Sequence, residues 1–135
     1  MTRFEKKQQV LAEHIDSLGH VNNVVYLQWV QDVAGAHWFD VAGDEHGIIW
    51  VARKHEIEYF KPAFKDEILT LTTWVENMDG FRSIRRVDII RDASILCSCT
   101  THWISLNRES GRPQKISQEL KELFKWSMPS GLLKN

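Results

Sequence analysis

Apolar positions along this chain change period several times, and each change marks an element. From Val24 to Val41 they crowd together as Val24, Val25, Tyr26, Leu27, Trp29, Val30, Val33, Ala34, Ala36, Trp38, Phe39 and Val41. That is more apolar surface than one amphipathic stripe holds, so the segment predicts a helix buried on most of its faces. Asn22 or Asn23 caps its start, because an asparagine side chain accepts a bond from the free amides of a first turn. Gly43 ends it, as the residue best suited to a left-handed C-terminal position. A length of roughly 18 to 20 residues spans about 27 to 30 Å at 1.5 Å per residue, the width of a small domain. The helix is therefore expected to be the central axis.

Before it, residues from about Phe4 to Glu13 have no clear period and are read as a strand. After it, a loop with Gly43, Asp44 and Gly47 leads into IIWVARKHEIEYF, a long strand or bent pair closed by Pro62. In EILTLTTWVE the side chains alternate, with Leu69, Leu71, Thr73 and Val75 on one face and Ile68, Thr70, Thr72 and Trp74 on the other. Asn77 to Gly80 supplies a turn, FRSIRRVDIIRD returns to a second turn at Asp92 and Ala93, and ILCSCTTHWISL follows as a third consecutive antiparallel partner. The polar NRESGRP ends that run. In SQELKELFKW, Leu120, Leu123 and Phe124 stand at helical spacing behind Ser117 as N-cap, and residues 127–135 read as a frayed tail. One long helix and one antiparallel meander must bury each other, which gives an α+β class with about five strands wrapped around the helix and a short C-terminal helix. The side of the helix that one sheet leaves bare is closed most simply by a second copy, so a dimer is expected.

Composition narrows the function without naming it. A length of 135 residues is one domain with one core. Lys+Arg 17 against Asp+Glu 18 leaves a net charge of -1, no global field for nucleic acid or an anionic membrane. An anionic ligand must then be met by a local cluster. No apolar run approaches the roughly 20 residues that span a bilayer, and MTRFEKKQQV lacks a secretory apolar region, so a cytoplasmic location is expected. Cys97 and Cys99, two apart in a strand, share a face and are read as buried free thiols.

The candidate chemistry lies immediately ahead of the helix. Asp16 offers a carboxylate, Gly19 a tight turn, His20 an imidazole, and Asn22 and Asn23 amides, all within DSLGHVNN. A carboxylate can activate water or attack an electrophilic carbonyl, and the free amides of a helix start can hold an oxyanion. The structural alternatives are plain: Asp16 as a turn residue, His20 as a hydrogen-bonded loop residue, Asn22 and Asn23 as caps, Tyr26 and Trp29 as core. His14, Asp16 and His20 match no established metal spacing. Arg82, Arg85, Arg86 and Arg91 make one strand basic, which is read as a solvated face. With Arg108, Arg112 and Lys115 nearby in sequence, phosphate binding stays open.

These segments resemble the hotdog-fold acyl-CoA thioesterases of the 4-hydroxybenzoyl-CoA thioesterase type. The likeness covers nearly the whole chain and is most specific in DSLGHVNNVVYLQWVQDV, similar to the family's Asp, spacer, Gly-His-Val-Asn-Asn and Tyr running into the central helix. HEIEYFKPAFKDEILTL is similar to its strand, Lys-Pro and acidic-turn segment. The resemblance implies a hotdog fold and hydrolysis of an acyl-CoA thioester, with Asp16 as general base or nucleophile, the Asn23 amide as oxyanion donor, and His20 and Asn22 holding the loop or bonding carbonyl or water. Gly19 and Tyr26 would line the substrate, and Arg112 and Lys115 would meet the coenzyme A phosphates at the mouth. It further implies a homodimer or homotetramer with the site at the subunit interface, no metal and no cofactor.

Two departures matter. Plant-type acyl carrier protein thioesterases carry Asn where Leu18 stands, which puts that carrier in doubt as substrate. A second branch places a catalytic Glu inside the central helix, but no Glu occurs between Val24 and Ala42, which favours Asp16 and leaves Asp32 as the fallback. A non-catalytic acyl-CoA-binding or regulatory protein, and an enoyl-CoA hydratase, are the alternative functions.

Overall fold

A computed structural model describes residues 3–43 and 47–125. The period-two segments form strands: β1 (Arg3–Gln9), β2 (Ile48–Tyr59), β3 (Ile68–Asp79), β4 (Arg82–Arg91) and β5 (Ser94–Asn107), with helices α1 (Asn23–Ala42) and α2 (Gln118–Phe124). All pairings are antiparallel, in the order β1-β3-β4-β5-β2. Inward positions of β3, Leu69, Leu71, Thr73 and Val75, are buried, and so are Ser83, Arg85, Val87 and Ile89 of β4. This α+β arrangement, a curved sheet around one long helix, is the expected hotdog architecture.

Helix α1 is capped as the sequence predicts. Asn22 Oδ1 accepts from the Val24 N–H at 2.9 Å, and at the far end the Gly43 N–H donates to the Phe39 carbonyl at 2.9 Å with φ +74°. Tyr26, Trp29, Val30, Val33, Ala34 and His37 are its buried residues. The expectation of burial on most faces is corrected within a single chain: Val24 is 75% exposed and Phe39 62%, because the sheet curls under only one side of the helix.

Two boundaries differ from the sequence reading, and one alternative is decided. Strand β1 stops at Gln9, and the chain turns through a 3-10 segment, Ala12–His14, after Val10 exchanges backbone bonds with Glu67 and Asp66. Strand β3 runs on to Asp79 because a register shift between Val75 and Asn77 absorbs one residue, so the turn tightens to Gly80, at φ +63°, and Phe81. Strand β2 is a single strand with a shift between Ala52 and Lys54. The turn at Asp92 and Ala93 falls where expected, with Asp92 at φ +53°. Asp44 and the 127–135 tail lie outside the described residues.

One apolar cluster, with Tyr26, Trp29, Leu69 and Ile89, fills the space beneath the first half of α1. A second joins Ile48, Val75, Ile116, Leu120 and Phe124 under its second half. Ser117 accepts from the Leu120 N–H and caps α2, while Trp38 stacks on Phe124 at 5.2 Å. Leu123 stays partly exposed, so α2 docks through Leu120 and Phe124. Cys97 and Cys99 are buried and free, and burial pushes the Cys97 thiol up to about 12. The sheet has two unlike borders: β1 shows Glu5, Lys6 and Lys7 to solvent, whereas β2 and its extension expose Ile49, Val51, Tyr59 and Phe60.

Candidate active site

The loop from Ile15 to Val21 folds back on itself as a small bridged turn. Ile15 pairs with Val21, the Asp16 N–H donates to the His20 carbonyl at 3.1 Å, and the Gly19 N–H donates to the Asp16 carbonyl at 3.1 Å. Gly19 takes φ +87°, which a side chain would resist. The loop is fastened at both flanks, by the Val21 N–H to the Ala63 carbonyl at 2.9 Å and the Asn22 N–H to the His14 carbonyl at 3.0 Å. Asp16 is half-buried; its Oδ1 accepts from the Leu18 N–H at 2.9 Å, and no bond among the described residues engages Oδ2. One carboxylate oxygen thus shapes the turn and the other is left for a ligand or water.

Asn23 is the first residue of α1, so its amide has no carbonyl one turn back and sits at the positive end of the helix dipole. Tyr59, at the end of β2, donates its hydroxyl proton to the Asn23 carbonyl at 3.1 Å, tying strand end to helix start. His20 is half-buried with Nδ1 3.4 Å from the Val21 carbonyl. His20, Asn23, Tyr59, Phe60, Lys61 and Pro62 line a shallow depression of about 250 Å³. Among the residues picked from sequence, His20, Asn23 and Tyr26 line this depression, Asp16 and Gly19 stand in the loop that leads to it, and Asn22 caps the helix. Tyr26 is 2% exposed beneath them; its hydroxyl accepts from the Ala63 N–H at 3.1 Å, and burial raises its pKa. It thus braces the core and also forms part of the depression's floor.

Arg112 and Lys115 lie elsewhere in the same chain. Their turn follows β5, where Asn107 pairs with Ile48 at the start of β2 and the Arg112 carbonyl accepts from the Asn107 N–H at 2.7 Å. Tyr59, beside the helix start, is at the other end of that 12-residue strand. At about 3.3 Å per residue the two ends are over 30 Å apart. Both side chains are exposed.

The basic strand is the main correction. Arg85 is not solvated: it is 5% exposed, and Nη1 donates to His37 Nδ1 at 2.8 Å and Thr73 Oγ1 at 3.0 Å. Desolvation lowers its pKa to about 10, and burial and that neighbouring charge lower His37 to about 4. The signal was available in the alternation, which puts Arg85 on the face of Val87 and Ile89. Tyr59 was the other residue missed; its place at the end of HEIEYFKP, before Lys-Pro, was its only mark. Among the described residues no His, Cys, Asp or Glu cluster could hold a metal ion, and no helix is long and apolar enough to cross a membrane.

Comparison with known proteins gives this geometry its context. Residues 10–124 match the family model of the thioesterase-like superfamily. The chain is 21% identical over 123 residues to the long-chain acyl-CoA thioesterase FadM of Escherichia coli (strain K12), covering 84% of this chain and 91% of that protein. It is 27% identical over 110 residues to the chloroplastic oleoyl-acyl carrier protein thioesterase of Coriandrum sativum, covering 70% of this chain but only 29% of the plant protein. Among solved structures, a mutant 4-hydroxybenzoyl CoA thioesterase complexed with 4-hydroxybenzoyl CoA superposes with a TM-score of 0.84 at 14% identity, covering 91% of this chain and 99% of that one.

Proposed function

Since the chain belongs to the thioesterase-like superfamily, we propose that it hydrolyses acyl-CoA thioesters to free acid and coenzyme A. The observation that carries the reading is the half-buried Asp16 carboxylate, with one oxygen uncommitted, held in the loop that leads directly into the free amide of Asn23. Asp16 takes a proton from water as the water oxygen bonds to the thioester carbon. The carbonyl electrons move to oxygen, where the Asn23 N–H and the helix dipole stabilise the anion. Collapse re-forms the carbonyl and breaks the carbon–sulfur bond, and the departing thiolate takes up a proton. Direct attack by Asp16, through an anhydride that water then opens, uses the same groups. Neither route takes a cofactor or metal, so dialysis against EDTA leaves the rate unchanged. His20 and Asn22 support this site by holding the loop and capping the helix.

The site is proposed to be completed by a second copy. The outer edge of β2 is unpaired among the described residues, Ile49, Val51, Tyr59 and Phe60 along it are exposed, and so are Val24 and Phe39 of α1. Twofold antiparallel pairing of β2 with its copy would set the Tyr59 end of one strand against the Ile48 end of the other. The partner's Arg112 and the partner's Lys115 would then stand near the Asp16 loop, which a single chain does not allow. There they would meet the coenzyme A phosphates.

The test is thiol release from a panel of acyl-CoA substrates by the wild type and Asp16→Asn, a neutral near-isostere. Turnover by the variant is expected to fall by about 100-fold or more, the scale of losing an acid-base group. A folded Asp16→Asn protein that keeps the wild-type rate on the best substrate removes Asp16 from the mechanism. Release of thiol also separates hydrolysis from enoyl-CoA hydration, which leaves the thioester intact, and from mere binding.

A further inference from the structure

A second cavity, of about 390 Å³, lies under the other half of α1 and has no part in the chemistry above. Ala34, Gly35 and Trp38 of the helix, Trp50 of β2, Trp103 of β5 and Arg85 of β4 form its walls. Its wall residues Gly35, Ile49 and Arg108 are exposed, which puts the opening between the helix and the start of β2. Such a wall is mostly aromatic and apolar; Gln31 and Ser83 add neutral polar groups, and its charged members, Arg85 and Arg108, are both cations. Arg85 is buried with only neutral partners, two hydrogen-bonded through Nη1 and the Phe124 ring 6.0 Å from its Cζ, and among the described residues neither Nε nor Nη2 has a hydrogen bond and no acid pairs with it. The indole N–H groups of Trp50 and Trp103 are also buried without an acceptor. Those indole nitrogens have almost no accessible surface and so do not face the cavity, whereas the guanidinium, which can only donate, brings an unpaired positive charge to its wall. Buried charges are ordinarily paired, and natural structures leave few buried donors unmet. An apolar guest carrying an acceptor anion would pair the guanidinium and fill the aromatic space beside it.

We propose that this cavity receives an acyl group ending in a carboxylate, with Arg85 binding that carboxylate, so that the substrates are half-thioesters of dicarboxylic acids. This deepens the thioesterase reading and rests on it. The aromatic walls take the methylene chain, and the arginine takes the far end by a charge-assisted bond, which its planar fork suits. The opening beside Ile49 is at the end of β2 that edge-to-edge pairing would set against the partner's helix start, where the thioester would react.

The experiment compares kcat/KM for adipyl-, suberyl- and sebacyl-CoA with hexanoyl-, octanoyl- and decanoyl-CoA in the wild type, Arg85→Met and Gly35→Phe. The wild type is expected to prefer the carboxylate member of at least one pair by roughly 10- to 100-fold, the range of a hydrogen bond to a charged group. Arg85→Met should abolish or reverse that preference while retaining turnover of the plain acyl-CoA. Replacing an unpaired buried charge by an apolar side chain of similar length is compatible with folding. Gly35→Phe plugs the cavity from a position where an added Cβ meets nothing within 4 Å, and should depress the longer member of either series. A wild-type ratio near one at every length, or a ratio unchanged in folded Arg85→Met, overturns the assignment. Should no thioester be cleaved at all, the hydrolase reading fails by itself and titration with free sebacate, followed by tryptophan fluorescence, decides the cavity. Saturable quenching lost in Arg85→Met supports carboxylate binding there, and no quenching overturns it. Sebacate that binds through Arg85 without competing with acyl-CoA overturns the substrate assignment in favour of a free effector.

Discussion

Arg85 and His37 meet in the interior through a 2.8 Å hydrogen bond from the guanidinium Nη1 to the imidazole Nδ1, joining the inner face of β4 to the inner face of α1. Since a guanidinium only donates, Nδ1 must carry the lone pair, and the neutral ring holds its proton on Nε2, an atom with no partner. Phe4 stacks on the ring at 5.5 Å and Phe124 meets it edge-on at 5.1 Å. Protonating Nδ1 would break the bond and place a second positive charge against the first.

Folding is therefore expected to weaken in mild acid. An unfolded His37 binds a proton near pH 6.5, whereas the folded one resists until about 4. Between those values the unfolded state holds more protons, so stability falls as pH falls, by about 2 to 3 kcal/mol at pH 4.5 from this group. Urea unfolding of the wild type and His37→Gln, which keeps a neutral acceptor, should show that much change in their stability difference between pH 7 and 4.5. Parallel curves would mean that His37 takes up its proton as readily in the native protein as in the unfolded chain.

Tyr26→Phe separates brace from ligand contact. Loss of the hydroxyl leaves the Ala63 N–H buried without an acceptor, which costs about 1 to 3 kcal/mol. As a brace, the residue should affect the urea midpoint and leave kcat and KM within a factor of a few. A folded variant with a large rise in KM at unchanged stability would make Tyr26 a substrate contact.

Arg112→Ala with Lys115→Ala tests the assembly and the phosphate contacts together. The protein should scatter light as a particle of twice the 15.8 kDa chain mass or more. The double variant should keep that mass and its kcat but raise KM for acyl-CoA, because contacts remote from the thioester bind ground and transition states alike. The rise should shrink with added salt and vanish for a short acyl thiol lacking the nucleotide. An active monomer would disprove the edge-to-edge arrangement, since one chain cannot bring that turn to its own Asp16.

The helix was legible because its signals are local: Asn22 and Gly43 at its ends and a run of apolar residues between them. Strand positions were legible from alternation, and the site loop from the crowding of Asp16, Gly19, His20 and Asn23 in a few residues. What escaped was non-local. Val10 leaves the strand because Glu67 and Asp66 bind its backbone, and nothing near Val10 says so. Arg85 is basic, which predicts solvent, yet its register with Val87 and Ile89 turns it inward, and in this strand period outweighs residue type. The distance between the Asp16 loop and the Arg112 turn depends on the direction in which β2 runs, which no motif encodes.

The unlike borders of the sheet also decide where growth of an assembly would stop. A chain with two sticky edges can add copies without limit and become a fibre. Here a pair formed through β2 would present β1 at both of its outer margins, and there Glu5, Lys6 and Lys7 stand in water. A charged side chain that would have to be stripped of water to admit another strand makes each margin a terminus. The same chain would thus carry both its joint and its stop, one at each end of the strand order.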